Sequence, residues 1–134
     1  MSAQVTEAVR RFLEKPNIAV LATRSLSNHP QATPVWFLYD NGQILINTSQ
    51  GRAKLRNIEA HPDVALAIVD RDNPYQYVQI QGTVVTLDPK SGAHDIDRLS
   101  QRYVGTPYAY PGNDRPENRV SIRVEVQRVH TQGL

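Results

Sequence analysis

The sequence predicts a mainly β fold, a six-stranded antiparallel barrel with a few helices flanking it. Runs of alternating or continuous apolar residues follow one another through short turn signals, without the long helical crossovers that parallel strands require. The chain has 134 residues, of which 40% are hydrophobic, enough for one buried core and too few for two. Because no linker or internal repeat divides the sequence, we expect residues 1–134 to form a single domain.

The first predicted element is an amphipathic helix near the N-terminus. Its apolar face consists of Val5, Ala8, Val9, Phe12 and Leu13. Ser2 is expected to cap this helix, and Pro16 is expected to end it. Charged residues are interspersed along the same stretch, unlike those of a signal peptide or a membrane span. We therefore expect a cytoplasmic protein that does not bind a membrane.

Six strands are predicted after this helix. NIAVLATR and QATPVWFLYD are separated by the turn residues SLSNHP, and the hairpin signal DNG leads into QILINT. DVALAIVD and YQYVQIQGTVVTLD are joined by the turn sequence RDNP, and the last strand alternates apolar and polar residues over 120–127. Pro34 has no N–H to donate, so it predicts a bulge or an edge strand whose backbone is free to meet another group.

The strand within YQYVQIQGTVVTLD has two faces of different character. Val78 and Ile80 share one face, which is expected to join the core. Tyr77, Gln79 and Gln81 share the other face. That face is polar and aromatic, as a ligand contact or a subunit contact would be.

A further helix and a loop are predicted before the last strand. Apolar residues at helical spacing indicate a helix within residues 90–104, and Gly105 offers a stop for it. The loop at 106–116 is dense in Pro, Gly and Tyr, and it contains Tyr108 and Tyr110. It is either an ordinary connection or one wall of a substrate site.

Composition excludes several classes of function. The net charge is only +2, so bulk charge does not favour nucleic-acid binding. The chain has no cysteine, which excludes disulfides, thiolate nucleophiles and cysteine-ligated metals. The sequence carries no phosphate-binding glycine loop, zinc-protease motif or nucleophile elbow, and its four histidines lack the spacing of metal ligands. We therefore predict no metal site, and the sequence identifies no catalytic side chain.

The stretch NTSQGRAKLRNIEAHP reverses the usual order of charges along a helix. Arg52, Lys54 and Arg56 lie in the first turns after an expected cap at Ser49, while the acidic Glu59 lies near the far end. A helix N-terminus carries a partial positive charge and is stabilised by acidic residues. The cations of this helix therefore oppose its dipole.

Two interpretations of this stretch remain open from the residues alone. One is a solvated basic face on a short helix. The other is an anion site, in which the free amides of the helix start, the Thr48 and Ser49 hydroxyls, Arg52 and Lys54 converge on a phosphate. A bound phosphate would supply the negative charge that the helix lacks.

A barrel with a phosphate site and few titratable side chains favours a cofactor that carries the chemistry. The order of the segments IAVLAT, HPQATPVWFLYDNGQILINTSQGRAKLRNIEAHPDVALAIVD and YVQIQGTV resembles the flavin and deazaflavin oxidoreductases with the pyridoxamine 5′-phosphate oxidase-like split barrel. The resemblance covers about residues 5–130 and is most specific over 44–69. It implies a homodimer with the cofactor in a cleft between subunits and the phosphate at the loop and helix after the third strand.

The resemblance also bears on which cofactor is bound. In the flavin mononucleotide (FMN) branch the phosphate loop typically reads Ser-Arg-Lys, whereas this sequence has Arg52, Ala53 and Lys54. GRAKLRN is similar to the branch that uses the deazaflavin coenzyme F420, which is common in actinobacteria. The resemblance therefore implies coenzyme F420, with FMN as the alternative.

Candidate cofactor-binding residues follow from the same resemblance. It implies that Arg52 and Lys54, helped by Thr48 and Ser49, hold the phosphate. It implies that the ring system passes along a strand edge formed by Pro34, Val35 and Trp36. Tyr77 and Gln79, with Gln81, are expected to contribute from the same subunit or from its partner.

The implied activity is hydride transfer from the reduced deazaflavin to a small unsaturated or conjugated substrate. The protein would orient the two rings and exclude water, without a protein nucleophile. Two other interpretations remain. The first is an FMN enzyme, such as an oxidase of pyridoxamine phosphate, and the second is a non-enzymatic protein that stores or senses the cofactor.

Overall fold

A computed structural model describes residues 5–134, which form three α-helices and seven strands. The helices are α1 (Glu7–Leu13), α2 (Ala53–Ala60) and α3 (Gly92–Tyr103), and a 3-10 turn spans Pro116–Asn118. The strands are β1 (Ala19–Arg24), β2 (Pro30–Val35), β3 (Leu38–Asp40), β4 (Gln43–Ser49), β5 (Asp63–Val69), β6 (Tyr77–Asp88) and β7 (Arg119–Gln132). In this described part of the chain, no helix is both long and apolar enough to cross a membrane.

All seven strands belong to one antiparallel sheet with the order β2-β1-β5-β6-β7-β4-β3. Its two edge strands, β2 and β3, are consecutive in the chain and are separated by Trp36 and Phe37 alone. Three residue steps span at most about 11 Å, so the sheet must curl until its edges meet at this point. No ladder joins β2 to β3, and the sheet is therefore not closed.

The prediction of six strands was wrong because QATPVWFLYD forms two strands rather than one. The break falls at Phe37, whose backbone groups bond to side chains of α3 instead of to another strand. The Phe37 N–H donates to the Tyr103 hydroxyl at 3.2 Å, and the Phe37 carbonyl accepts from Arg102 Nη1 at 3.1 Å. Because these bonds satisfy the backbone N–H and carbonyl of Phe37, the chain can leave one edge of the sheet here and join the other. Pro34 lies in the edge strand β2, as predicted.

The core fills the inside of the curled sheet. Each strand from β4 to β7 presents alternate residues to it, and β6 does so with Val78 and Ile80, which are fully buried as predicted. α1 adds Val9, Phe12 and Leu13 to the same cluster. The outer faces of the strands are left for the helices and for the cavities described below.

The ends of α1 and α3 are set by specific backbone contacts. Thr6 caps α1, because its Oγ1 accepts from the Val9 N–H at 3.2 Å; the predicted cap, Ser2, lies outside the described residues. α3 ends at Tyr103, and Gly105 provides the predicted stop two residues later. The φ of Gly105 is +84°, which suits glycine, and its N–H donates to the Ser100 and Gln101 carbonyls.

The start of α3 is pressed against the start of β7. A Cβ built on Gly92 would lie 2.0 Å from the Arg119 carbonyl oxygen, so only glycine allows this approach. Asn47 of β4 donates its side-chain N–H to the Gly92 carbonyl at 3.0 Å. This junction of β4, α3 and β7 positions the functional side chains described next.

α2 begins three residues later than predicted. Ser49 is the last residue of β4, and the cap position belongs to Arg52, whose side chain makes no capping hydrogen bond. No acidic residue lies in the first turn of α2. The positive end of this helix therefore has no compensating charge on the helix itself, as the sequence indicated.

Candidate functional site

A cavity of about 300 Å³, here called the first cavity, opens where β2, β4, α2, α3 and the start of β7 meet. It is lined by Ile18, Pro34, Val35, Trp36, Asn47, Lys54, Ile96, Leu99, Tyr108 and Arg119. Its volume falls at the lower end of the range that small-molecule sites occupy. The lining combines two cationic side chains with apolar and aromatic ones.

Lys54 is the cation that α2 places in the first cavity. Its side chain is half-buried, and within residues 5–134 its ammonium makes no hydrogen bond or salt bridge. Burial lowers the pKa of Lys54 below its ordinary value, and the positive charges of Arg52 and Arg119 lower it further. An anion bound beside Lys54 would relieve both effects.

Arg119 is the second cation of the first cavity, and it is only 8% exposed. Its Nε donates to Asn47 Oδ1 at 2.9 Å, and its Nη1 pairs with Asp114 Oδ2 at 2.9 Å. The guanidinium also lies over the Tyr108 ring, 5.2 Å from the ring centre. Because Asn47 is itself anchored to Gly92, the guanidinium is held in a fixed orientation.

The charges around the first cavity do not cancel. The charges of Lys54, Arg119 and the nearby Arg52 repel one another, and the carboxylate of Asp114 pairs with Arg119. Arg119 retains donors beyond those that Asn47 and Asp114 satisfy. The cationic part of the lining therefore suits a phosphate or another anion.

The aromatic side chains at the first cavity are held by contacts with one another and with α3. The Trp36 ring stacks on the Tyr103 ring at 5.4 Å with an angle of 6° between the planes, and Tyr108 meets it edge-on at 6.4 Å. The Tyr103 hydroxyl accepts from the Phe37 N–H and donates to the Asn17 carbonyl at 2.7 Å. Its burial raises the pKa of Tyr103, which keeps the hydroxyl protonated as this donor.

The loop at 106–116 forms part of the first cavity through Tyr108. The Tyr108 N–H donates to Asp97 Oδ1 at 2.8 Å, and Tyr110 packs edge-on against the Tyr108 ring at 4.8 Å. Ser100 Oγ donates to the Thr106 carbonyl at 2.7 Å. These contacts attach both the loop and its tyrosine to α3.

The structure brings four of the nine predicted site residues together. Lys54 of α2 lines the same cavity as the edge residues Pro34, Val35 and Trp36. Arg52 lies at the exposed start of α2, outside the lining, and acts on the cavity through its charge. The sequence stretches 34–36 and 52–54 are thus neighbours in space.

The other predicted residues do not line the first cavity of their own chain. Thr48 is 3% exposed and follows the alternation of β4 toward the core, whereas Ser49 is the register partner of Arg119 on the outer face. Tyr77 and Gln79 lie on the outer face of β6, where Tyr77 pairs with Gln132 and Gln79 with His130. Thr48 is therefore too deep to bond a ligand in this cavity.

Sequence reasoning missed Asn47 and Arg119. Arg119 is the first residue of β7, and the sequence pattern does not distinguish it from the other polar residues that alternate along this strand. The register between β4 and β7 decides its position, because Asn47 pairs with Ser121 and Ser49 pairs with Arg119. A strand pairing across more than seventy residues leaves no local signal in the sequence.

Comparison with known proteins agrees with this architecture. The family model described as pyridoxamine 5′-phosphate oxidase matches residues 5–133. The chain belongs to this family. The resemblance stated from the sequence is thereby confirmed, as is the mainly β fold with flanking helices.

Several solved structures share the fold of this family member. One is an F420 reductase, 32% identical, with a TM-score of 0.84 over 94% of this chain and 98% of that chain. A conserved hypothetical protein from Mycobacterium tuberculosis is 20% identical, with a TM-score of 0.74 over 98% and 86% of the two chains. General stress protein 26 from Bacillus anthracis is 16% identical, with a TM-score of 0.70 over 94% and 92%. The last two likenesses concern the fold alone.

Proposed function

We propose that this protein is an oxidoreductase that uses coenzyme F420 to reduce a small unsaturated or conjugated substrate. The observation that supports this most directly is the lining of the first cavity, which combines cations with aromatic and apolar side chains. The unpaired ammonium of Lys54 and the guanidinium of Arg119 share this lining with Trp36, whose ring stacks on Tyr103. The similarity to an F420 reductase at 32% identity supports the choice of cofactor.

The residues of the first cavity fit a planar ring system that carries a phosphate. Lys54 and Arg119 would hold the phosphate, with Arg52 adding charge at the cavity edge and Ser49 beside Arg119. The ring system would lie along the β2 edge formed by residues 34–36. Pro34 leaves that edge without an N–H, so a flat ligand can approach the backbone closely.

When bound, a reduced deazaflavin would supply a hydride, and a proton from solvent would complete the reduction of a double bond. The chain contributes position rather than a nucleophile. Trp36 is held by its contacts with Tyr103 and Tyr108, and this rigidity restrains the orientation of whatever packs against it. Ile96 and Leu99 of α3 exclude water from the inner end of the cavity.

FMN is the second candidate cofactor. The matched family model is described as pyridoxamine 5′-phosphate oxidase, and Lys54 with Arg119 would bind the phosphate of either molecule. Against FMN stands the residue pattern at 52–54, where Arg-Ala-Lys replaces the Ser-Arg-Lys typical of the FMN branch. Both patterns carry two cations, but the arginine that lies next to the lysine in the typical loop is replaced here by Ala53, and Arg52 stands one position earlier.

Fluorescence titration with both cofactors tests the proposal. We expect coenzyme F420 to bind at least tenfold more tightly than FMN. Tighter binding of FMN would reverse the order of the two candidates. Binding without turnover, when a reductant and a panel of conjugated substrates are supplied, would favour the third interpretation, a protein that stores or senses the cofactor.

We also propose that the protein is a homodimer. The outer faces of β1, β5 and β6 form a continuous surface on which Val20 pairs with Ala67 and Ala67 pairs with Gln79. Val20 is 42% exposed and Ala67 is also exposed, so one chain leaves apolar surface uncovered. If this face is buried in a dimer, Tyr77 and Gln79 lie against the partner subunit.

Light scattering tests the dimer. The wild type should show twice the 15.1 kDa chain mass at low micromolar concentration. Ala67→Arg should give monomers, because it places a charge in the middle of the apolar surface. Ala60→Arg, the same change at the exposed end of α2, is the control and should leave the mass unchanged. A wild-type monomer that still binds the cofactor would refute the proposal.

A further inference from the structure

A second cavity of about 390 Å³ adjoins the first cavity. It is lined by Pro16, Ile18, Trp36, Val69, Arg71, Tyr103 and Val104. The two cavities share Ile18 and Trp36. A molecule in the second cavity would therefore contact the same two side chains as a molecule in the first.

Exposed apolar side chains are concentrated in the second cavity. Ile18, Val69 and Val104 are 46%, 45% and 59% exposed, and all three line it. The stacked rings of Trp36 and Tyr103 add two aromatic surfaces to the same lining. Val69 pairs with Tyr77 at the border of the face proposed for the dimer, so the second cavity opens beside that face. Its concave apolar lining is typical of a ligand site.

The lining of the second cavity includes one charged residue, Arg71. Its backbone N–H donates to Asn17 Oδ1 at 3.2 Å, which fixes the start of its side chain. Within residues 5–134 its guanidinium has no hydrogen-bond or salt-bridge partner. The neighbouring Asp70 is already occupied by Lys15, at 2.8 Å.

We propose that the second cavity binds the substrate, and that the substrate class is a planar conjugated molecule with a carboxylate at one edge. The apolar and aromatic lining suits the conjugated part, and the unpaired guanidinium of Arg71 suits the carboxylate. This inference rests on the proposed function, because it takes the first cavity as the cofactor site. Contact of both cavities with Trp36 places the two ligands side by side.

Calorimetry with a matched pair of probes tests the assignment. The probes are 2-naphthoate and its neutral analogue 2-naphthamide, titrated into the free protein and into protein saturated with coenzyme F420. We expect naphthoate to bind about tenfold more tightly than naphthamide, since a charge-assisted bond to a guanidinium is lost in the neutral probe. Equal binding of the two probes would overturn the proposal.

Two variants assign this preference to Arg71. Arg71→Gln should weaken naphthoate binding about tenfold and leave naphthamide binding unchanged. Arg11→Gln removes the same charge from a side chain that is 74% exposed on α1, and it should change neither affinity. A naphthoate preference that survives Arg71→Gln would refute the role of this residue.

Amide resonances locate the probe. Naphthoate should shift the resonances of Val69 and Val104, which line the second cavity alone, more than those of Lys54 and Ile96, which line the first alone. The reverse pattern, or loss of naphthoate binding in Lys54→Ala, would place the probe in the cofactor site and overturn the proposal. The titrations of the free protein do not depend on whether coenzyme F420 binds. A failure of this proposal can therefore be distinguished from a failure of the proposed function.

Discussion

Replacement of Lys54 by alanine tests whether α2 holds a phosphate at one point or attracts anions by diffuse charge. Lys54 lines the first cavity and is unpaired among the described residues, whereas Arg56 on the same helix is exposed and donates to the Gly51 carbonyl at 2.9 Å. Glu59 lies three residues after Arg56 and could pair with it, but the Arg56 side chain bonds to the Gly51 carbonyl instead. Lys54→Ala and Arg56→Ala each remove one positive charge from α2, so they form a matched pair.

The size of the two effects follows from these surroundings. A charge-assisted hydrogen bond to a phosphate contributes about 1.5–3 kcal/mol, so Lys54→Ala should weaken binding of coenzyme F420 by roughly tenfold to a hundredfold. Arg119 remains in this variant, so binding should not be abolished. Arg56→Ala removes an exposed contact worth at most about 1 kcal/mol to the fold, and it should change the affinity by no more than about twofold.

The stability of the two variants separates lost binding from misfolding. The pKa of Lys54 is lowered in the folded protein, mainly by burial, so its charged form costs folding free energy at neutral pH. Lys54→Ala removes that cost, and the midpoint of thermal unfolding without ligand should stay the same or rise. A misfolded variant would show the opposite change.

The assay is a fluorescence titration of coenzyme F420 into each variant, with circular dichroism melting of the free proteins. Equal weakening in Lys54→Ala and Arg56→Ala would show that α2 acts through diffuse charge. The specific phosphate site proposed for the first cavity would then be wrong. Lys54→Arg, which keeps the charge, should recover part of the affinity.

Three further predictions concern the same site. Affinity for the phosphate-bearing cofactor should fall as pH rises through the lowered pKa of Lys54, because the neutral amine no longer attracts the anion. Titrations of the wild type from about pH 7 to 10 should show this loss, and the same titrations of Lys54→Ala should not. Asp114→Asn frees Arg119 of its carboxylate partner and should strengthen cofactor binding a few-fold in the same titration; weaker binding would show that Asp114 serves chiefly to hold Arg119 in place. Gly92→Ala should lower the free energy of unfolding by about 1–3 kcal/mol, since the new Cβ would lie 2.0 Å from the Arg119 carbonyl oxygen. Urea unfolding measures this change, and an unchanged midpoint of the urea transition would contradict the tight approach of α3 to β7.

Short-range patterns in the sequence were enough to predict most of the elements. The turn at Asn41 and Gly42 has positive φ angles of 51° and 77° at both positions, as a two-residue hairpin with this sequence requires. The burial of Val78 and Ile80 follows from strand alternation alone. These features depend on residues within a few positions of one another, so one sequence carries the information.

The candidate site was predicted in part, because some of its residues also give local signals in the sequence. Lys54 stood out because a cation in the first turn of a helix opposes the dipole, which is a local anomaly. Pro34 stood out because proline cannot donate to a ladder. That these two residues face one cavity is a property of the folded sheet, in which β2 and α2 are brought together.

Tertiary structure alone decided the break in the predicted second strand and the second cation of the site. Phe37 leaves the sheet because Tyr103 and Arg102, more than sixty residues away, satisfy its backbone groups. Arg119 reaches the first cavity because β7 pairs with β4 in a register that sets it beside Ser49. The sequence by itself determined periodicity, turns and the anomalous charge order of α2, since these arise from neighbouring residues. The partners of each strand and each charge were decided by the fold, because packing joins residues that are distant in the chain.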